Sequence, residues 1–536
     1  MAKEKKDISN YTEFSDQPER LYCRGYECTD AGVYTAQGAE VCMHPILPTG
    51  TLRNVETGEM SMIVAFNAAG YWEERIYPRN LLASSASILS LASAGVAVSS
   101  ANAKALSTYL TKLCHMNDDI LPRKSSIGRL GWVSPLDSRF APYSKDLVFD
   151  GEEMFREKYR SVSLSGRENT WIAVAAQLRK ESFAARLTLA ASCASALLTP
   201  LELQPFFLHI WGKTGLGKTV LLQFAASVWG DPRPGKLITT FNSTGTGLEV
   251  NAGFLHDIPL CVDELQILSS AGSVDFQQLI YTLCEGIGRT RGAKDGGLRK
   301  MNTWNNIMIT TGERPLGADN FYGGAINRSI EFELTEPVTR DFPALVETLQ
   351  YHYGYPGRRF VQTVAKYREK LRPQWKQRLE GLTALGVSGK QAAAMAAVIL
   401  ADGLCEMLWF HQREPLPSIS YEQAAALLLK ENELSTEQKA VNYLFDVIAA
   451  NPARFPDDLD PYYKLELWGR KQGEYYAVIG TYFNKIMEDG GFSPRAVLSY
   501  AAKNGMLQRD GTHLKKNVYF NGNVTRCVVM KRGNPI

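Results

Sequence analysis

The chain has 536 residues, 45% of them hydrophobic and 21% charged, with 59 Lys plus Arg against 56 Asp plus Glu for a formal net charge of +3. These fractions exclude a largely disordered chain, and the length divides into about three or four domains. So small a net charge also excludes a protein that coats nucleic acid through its overall field, so any polyanion site has to be a local cluster.

The opening MAKEKKDISNY carries charge with no apolar run behind it and reads as no signal peptide. From about residue 20 to 80, short apolar runs alternate with turns, and MSMIVAF, AAGY and WEERIYP predict a strand, a turn and a second strand. Helical stretches are expected near 81–93 and 101–116, and IGRLGWVSPLDSRFAPYS closes an α+β N-terminal domain assigned to residues 1–165. Cys23, Cys28, Cys42 and His44 have the residue types of a zinc site. Their spacing fits no common ribbon or finger, and the same types fill small β-rich cores, which is the preferred reading. The nine cysteines are scattered without paired spacing, as in a reducing cytoplasm. Neither SILSLASAGVAVSS nor QAAAMAAVILADGLCEMLWF is long and unbroken enough to read as a membrane span.

Residues 170–199 are mostly helix formers with apolar spacing and lead into the run PFFLHIW. From there short apolar strands alternate with helices, the pattern of a parallel sheet with crossovers, so an α/β core is assigned to 166–338. After the first strand comes GKTGLGKT, that is Gly212, Lys213, Thr214, Gly215, Leu216, Gly217, Lys218 and Thr219, which fills every fixed position of the P-loop pattern and opens a helix. Glycines let the backbone amides turn onto phosphate oxygens, Lys218 reaches the β- and γ-phosphates, and the Thr219 hydroxyl ligates Mg²⁺, which makes ATP and Mg²⁺ the expected ligands. One crossover later IPLCVDEL is a strand ending in Asp263-Glu264. At the C-terminal end of a parallel strand both acids project into the nucleotide crevice, Asp263 to hold Mg²⁺ through water and Glu264 to polarise the attacking water.

Next comes GRTRGAKDGGLRK, residues 288–300, with Arg289, Arg291, Lys294, Arg299 and Lys300 against the single acid Asp295 around a Gly-Gly turn. The P-loop and the acids already fill the nucleotide site, so this hairpin reads as a finger gripping a polyanion backbone, with Lys294 at its tip; a solvated loop is the plain alternative. In the following strand, NNIMITTGE, Thr311 is the candidate to sense the γ-phosphate, with Thr310 and Glu313 behind it. GGAINRSIEFEL places Arg328 before another strand, either to reach a neighbour's γ-phosphate or to form a surface salt bridge. Residues 339–415 are expected to form a helical lid. Residues 416–536 end in helix, helix and two strands around Asn521-Gly522, a winged-helix order. There SPRAVLSYAAKNG has Ser493 as N-cap, Pro494 in the first turn and Gly505 as a stop. With Lys503, Arg509, His513, Lys515, Lys516 and Arg526, this domain either enters a DNA groove or serves as a packing module.

In this order and spacing the motifs resemble AAA+ ATPases, and more narrowly the minichromosome-maintenance-like branch. STGTGLEVNAGFLHDIPLCVDEL, the basic hairpin, NNIMITTGE and GGAINRS follow that branch's pre-Walker-B segment, Walker B, pre-sensor-1 hairpin, sensor 1 and arginine finger. From GYECTDAGVY to NRSIEFEL the chain resembles the domain-of-unknown-function family numbered 927, found in phages, plasmids and staphylococcal cassette chromosomes and including members regarded as self-loading replicative helicases. The resemblance implies an α/β P-loop NTPase (AAA+) core with an α+β N-terminal domain, a helical lid and a C-terminal winged helix. It implies a cytoplasmic, membrane-free ring of six identical subunits that hydrolyses ATP and translocates DNA in the replication of a mobile genetic element, alongside other replication proteins of that element. Lys218, Glu264, Thr311 and Arg328 would be its catalytic set, with the hairpins lining the channel and Lys515 and Lys516 adding DNA contacts. There are departures: the branch's sensor asparagine is replaced by Thr-Thr-Gly-Glu, its helical insert shrinks to at most residues 237–250, and Arg358 and Arg359 are the nearest sensor-2 candidates. The rival from another class is an ATP-driven switch acting on a protein partner, which has no need of the basic hairpin.

Overall fold

The computed structural model describes residues 21, 23–68, 70–240, 244–264, 276–288, 302–316, 327–413, 415–428, 436–457, 465–511, 513–520 and 523–531. The chain divides into two units, one made of Met1–Arg314, Phe332–Trp375 and Ala397–Ser418, the other of Pro315–Glu331, Lys376–Ala396 and Ile419–Ile536.

Three short strands, β1 (Tyr26–Thr29), β2 (Gly32–Thr35) and β3 (Glu40–Cys42), open the first unit as an antiparallel sheet. A five-stranded sheet follows, built from β4 (Ile46–Asn54), β5 (Met60–Ala68), β6 (Tyr71–Pro78), β7 (Arg123–Ile127) and β10 (Leu147–Phe149) in the order β10-β7-β4-β5-β6. β8 (Gly131–Trp132) and β9 (Phe140–Ala141) pair by themselves. The expected strand–turn–strand over MSMIVAF to WEERIYP is the β5–β6 hairpin. Helix Ala103–Met116 places Leu106, Leu110 and Leu113 at helical spacing on the inward face, where they pack with Val33, Ile46 and Phe66.

The stretch expected as a helix near 81–93 is a short helix, Arg79–Leu82, followed by a 3₁₀ segment, Ser87–Ala94. Serines account for the difference: Ser90 and Ser93 donate to the carbonyls of Ser87 and Ser90, both at 2.8 Å, so hydroxyls compete for acceptors that an α-helix would use. Cys23, Cys28 and Cys42 belong to the N-terminal core. His44 is spent on backbone, Nε2 accepting from the Ala97 amide at 2.9 Å and Nδ1 lying 3.1 Å from the Pro45 carbonyl. Among the described residues no group of three or more His, Cys, Asp or Glu is arranged to hold a metal ion, and all nine cysteines are buried and outside any disulfide.

The helical run at 170–199 is two helices, Glu168–Glu181 and Phe183–Ser195, broken at Ser182, whose extended backbone and side chain cap the second by accepting from the Ala185 amide. Five strands then form one sheet: β11 (Phe206–Gly212), β12 (Ile238–Thr240), β13 (Leu260–Asp263), β14 (Ile307–Gly312) and β15 (Ser329–Leu334), ordered β12-β13-β14-β11-β15. The pairs β12–β13, β13–β14 and β11–β14 are parallel. β11 and β14 are buried along almost their whole length, as strands covered on both faces by helices must be.

N-terminal strands and core meet at a buried joint. The Trp132 amide donates to Asp257 Oδ2 at 2.8 Å, its indole donates to the Ala196 carbonyl at 2.8 Å, and the Arg368 guanidinium lies 4.7 Å from the ring centroid. Arg368 also donates to the carbonyls of Asp137 at 2.7 Å and Ser134 at 3.2 Å.

Helices Phe342–Tyr351, Tyr355–Lys366, Arg368–Thr383 and Gly389–Cys405 fill most of the expected lid. The span Gly389–Phe410 is apolar and long enough to cross a membrane by length and composition, but 72% of its most apolar window is buried within the protein. Asp402 in this span pairs with Arg186 at 2.6 Å.

The second unit ends in helices Thr436–Ala450, Gly480–Asp489 and Pro494–Lys503 packed on a sheet of β16 (Gly469–Gln472), β17 (Tyr475–Ile479), β18 (Lys516–Phe520) and β19 (Asn523–Lys531), ordered β16-β17-β19-β18. Ser493 is the N-cap of the third helix, but its side chain makes no capping bond, which leaves Pro494 as the feature that starts the helix. Asn521 and Gly522 lie outside the described residues; the strands on either side pair antiparallel with Phe520 opposite Asn523.

Candidate nucleotide-binding site

A cleft of about 340 Å³ opens at the C-terminal ends of β11, β13 and β14, where a parallel α/β sheet places its ligands. Its walls include Gly215, Gly217, Lys218 and Thr219 from the P-loop, Asp263 at the end of β13 and Glu264 just after it, and Thr311 and Glu313 from β14 and the turn beyond it.

Two of the loop glycines are required by close approach. Gly212 has φ +149°, and an added Cβ would lie 2.3 Å from the Leu334 carbonyl. Gly217, with φ +96°, lies under the Phe342 ring, which would be 2.4 Å from such a Cβ. Helix Lys218–Ser227 follows at once, so its unpaired N-terminal amides face the cleft. The Lys218 ammonium bonds the loop's own carbonyls, Gly212 at 2.7 Å and Lys213 at 2.8 Å. Partial burial lowers its pKa, and the nearby Glu313 and Asp263 carboxylates oppose that shift.

Asp263 links the loop to the neighbouring strand. Its Oδ2 accepts from the Thr219 hydroxyl at 2.9 Å, and its Oδ1 accepts from the Thr311 hydroxyl. Thr311 in turn accepts from the Glu264 amide at 3.2 Å. Glu264 is exposed, with φ +64°, a left-handed conformation that is uncommon outside glycine and asparagine and recurs at functional sites. Behind them the fully buried His209 bridges β11 to β14: Nδ1 lies 2.9 Å from Thr310 Oγ1 and Nε2 lies 2.9 Å from the Arg314 carbonyl. A carbonyl only accepts, so Nε2 carries the proton and Nδ1 accepts from the threonine. Desolvation depresses the His209 pKa to about 4.

These residues fit a nucleotide phosphate and a hard cation. The loop presents amides and an ammonium that now rests on carbonyl oxygens, and a hydroxyl and a carboxylate 2.9 Å apart supply the oxygen donors that Mg²⁺ takes. Of the sequence candidates, Thr214, Gly215, Gly217, Lys218, Thr219, Asp263, Glu264 and Thr311 converge on the cleft. Arg358 and Arg359 do not line it, and Arg359 instead faces Glu168 at 3.4 Å. Arg328 lies just before β15, half-buried, within the second unit. The cations Arg289, Arg291, Lys294, Arg299 and Lys300 lie outside the described residues, but the residues on either side of that stretch pair with each other. Ile287 pairs antiparallel with Thr303, and the Gly288 amide donates to the Asn302 carbonyl at 2.8 Å. In the C-terminal unit Lys503, Arg509, His513 and Arg526 are exposed and Lys515 and Lys516 half-buried. His209 is the site residue that motif reading passed over, although a lone imidazole in FFLHIW was its signal.

Sheet order, loop and cleft together define an α/β fold built around a phosphate-binding loop. A model of the family described as Domain of unknown function (DUF927) matches residues 20–303, more than half of the chain, and the protein belongs to that family. A second model, described as the Cch helix turn helix domain, matches residues 435–533. Among solved structures, the active helicase Cch of SCCmec type IV is similar at a TM-score of 0.73 and 16% identity, over 95% of this chain and 97% of that one, which shows a common fold along nearly the whole length. The apo C-terminal region of NrS-1 aligns over 90% of this chain and 96% of its own at 8% identity, and at a TM-score of 0.31 it carries no weight. No curated protein matches the chain significantly.

Proposed function

We propose that the protein is an ATP-hydrolysing DNA translocase, a helicase of the AAA+ class acting as a ring, with six subunits expected, in the replication of a mobile genetic element. The observation that carries the reading is the Thr219–Asp263–Thr311 chain beside Lys218 and the exposed Glu264, a metal-holding pair next to a second acid. Bound as its Mg²⁺ complex, ATP would supply an activated phosphoanhydride. Lys218 would exchange the Gly212 and Lys213 carbonyls for phosphate oxygens, and Thr219 and Asp263 would hold the metal. Glu264 would orient water and take its proton, with Thr311 fixing both acids relative to β14. Arg328 is assigned to act on a neighbouring subunit's site, and the 288–300 hairpin to grip the DNA backbone; the paired stem at 286–304 and the fold shared with an active helicase support that assignment. The four segments 1–165, 166–338, 339–415 and 416–536 would serve as DNA-gripping collar or docking module, motor, lid and winged-helix DNA contact, the last through Lys515 and Lys516.

An ATPase assay of the full chain, with and without DNA, tests this. Turnover should rise several-fold with DNA and should fall steeply with salt. Lys294→Ala should retain basal turnover and lose the stimulation and any unwinding. Turnover indifferent to DNA would favour the protein-remodelling switch instead.

A further inference from the structure

We infer that Glu313 is a built-in anion of the phosphate site, one that bonds the phosphate-binding loop and competes with nucleotide phosphate for it, so that it sets affinity downward. The inference rests on the nucleotide-binding reading above and adds to it a residue that opposes the ligand.

Glu313 follows Gly312, the last residue of β14, and lines the cleft with Lys218, Thr219, Asp263 and Glu264. Its Oε1 accepts from the Thr214 hydroxyl, on the phosphate-binding loop itself, at 2.8 Å. The turn that carries it is fixed on both sides by one buried side chain. His209 bonds Thr310, three residues before Glu313, and the Arg314 carbonyl, one residue after it. Glu313 and Thr214 are both exposed, but the bond between them and the fixed turn beneath hold the carboxylate beside the loop.

The neighbouring hydroxyls are already committed. Thr310 donates to His209, and Thr311 gives its proton to Asp263 while accepting from the Glu264 amide. The group at this strand end that projects to the loop is therefore a carboxylate. A carboxylate accepts hydrogen bonds and has none to give a phosphate oxygen, so it cannot act as a polar sensor of phosphate. Its charge has the same sign as the ligand's, and the two compete for Lys218 and for the loop. Of the acids acting on Lys218, Glu313 has the larger effect, ahead of Asp263. The arrangement therefore costs affinity when phosphate binds.

The test is fluorescence titration of the full chain with a mant-labelled ATP, in EDTA and in Mg²⁺. Glu313→Gln keeps an acceptor for Thr214 and removes the charge, and it should bind about tenfold tighter in EDTA. The gain should shrink in Mg²⁺, which neutralises part of the ligand's charge. Glu313→Ala should also bind tighter, whereas Glu313→Asp, with the charge retained, should stay near wild type. Unchanged or weaker binding by both neutral variants would overturn the inference, and weaker binding confined to Mg²⁺ would make Glu313 a metal-side contact instead. Lys218→Ala is the control for the site. Wild-type protein that gives no titration, or one that Lys218→Ala does not abolish, would overturn the nucleotide reading and this inference together.

Discussion

Asp257 and Asp263 lie six residues apart, just before β13 and at its end, and the protein uses them in opposite ways. Asp257 is fully buried; its Oδ2 takes the Trp132 amide at 2.8 Å and lies 2.8 Å from His256 Nδ1. Gly131 is held so close that an added Cβ would lie 2.3 Å from that same oxygen. Asp263 faces the cleft and takes two hydroxyls, Thr219 and Thr311. A backbone amide cannot turn away from its acceptor, whereas a hydroxyl rotates and can be given up to a ligand. One end of the strand is therefore a fixed joint to the N-terminal strands, and the other is a set of donors that can be exchanged.

The largest expected effect lies at the cleft end. Glu264→Gln should lower turnover by about a thousandfold, within the range for a lost catalytic acid–base group, while nucleotide binding by titration stays near wild type. Normal turnover would remove Glu264 from the chemistry and leave its left-handed backbone without a functional reason. A reciprocal pair then separates the two ends of β13. Asp263→Asn should weaken Mg²⁺-dependent nucleotide binding by about a hundredfold and leave thermal stability unchanged or slightly raised, since it relieves crowding of acids in the cleft. Asp257→Asn should do the reverse: about 2–3 kcal/mol of stability lost from a buried carboxylate whose Oδ2 takes the Trp132 amide and lies beside His256, with nucleotide affinity unaltered. If both variants lose binding and stability together, the strand is one unit and the contrast fails.

The difference between the two ends also explains what the sequence made legible. A phosphate loop needs glycines where backbone approaches backbone, as at Gly212 and Gly217, so GKTGLGKT marks itself locally. Asp263-Glu264 is equally local, two acids ending an apolar run. Asp257 has no such signature, because the group that gives it meaning, the Trp132 amide, is 125 residues away in sequence. The same limit applies to Thr311. Its place at a strand end marks it as a candidate phosphate sensor, but its donation to Asp263 depends on β13 and β14 being neighbours, which alternating strands and helices do not reveal. Where local chemistry overrode local pattern, the reading also slipped. Serine hydroxyls turned the expected helix near 81–93 into a 3₁₀ segment, and Ser182 divided one expected helix into two.

His209 offers the finest probe of the comparison, because it is a buried polar side chain on the cleft side with fixed partners. Burial holds its pKa near 4 in the folded protein, against about 6.5 in an unfolded chain. Between those values the unfolded state binds the extra proton and the native state does not, so stability is fully present above about pH 6.5 and is lost as pH falls toward 4. From pH 7 to 5.5 the expected loss is about 1 kcal/mol. His209→Gln retains a donor and an acceptor without titrating, so its stability should change less over the same interval in urea unfolding measured at each pH. The bonds His209 makes also hold the turn that carries Glu313, so acid should loosen the cleft before it loosens the joint at Asp257. Hydrogen exchange at pH 5.5 would show this as faster exchange around residues 310–314 with that around Trp132 unchanged; equal loosening at both would place the two ends of β13 in a single cooperative unit.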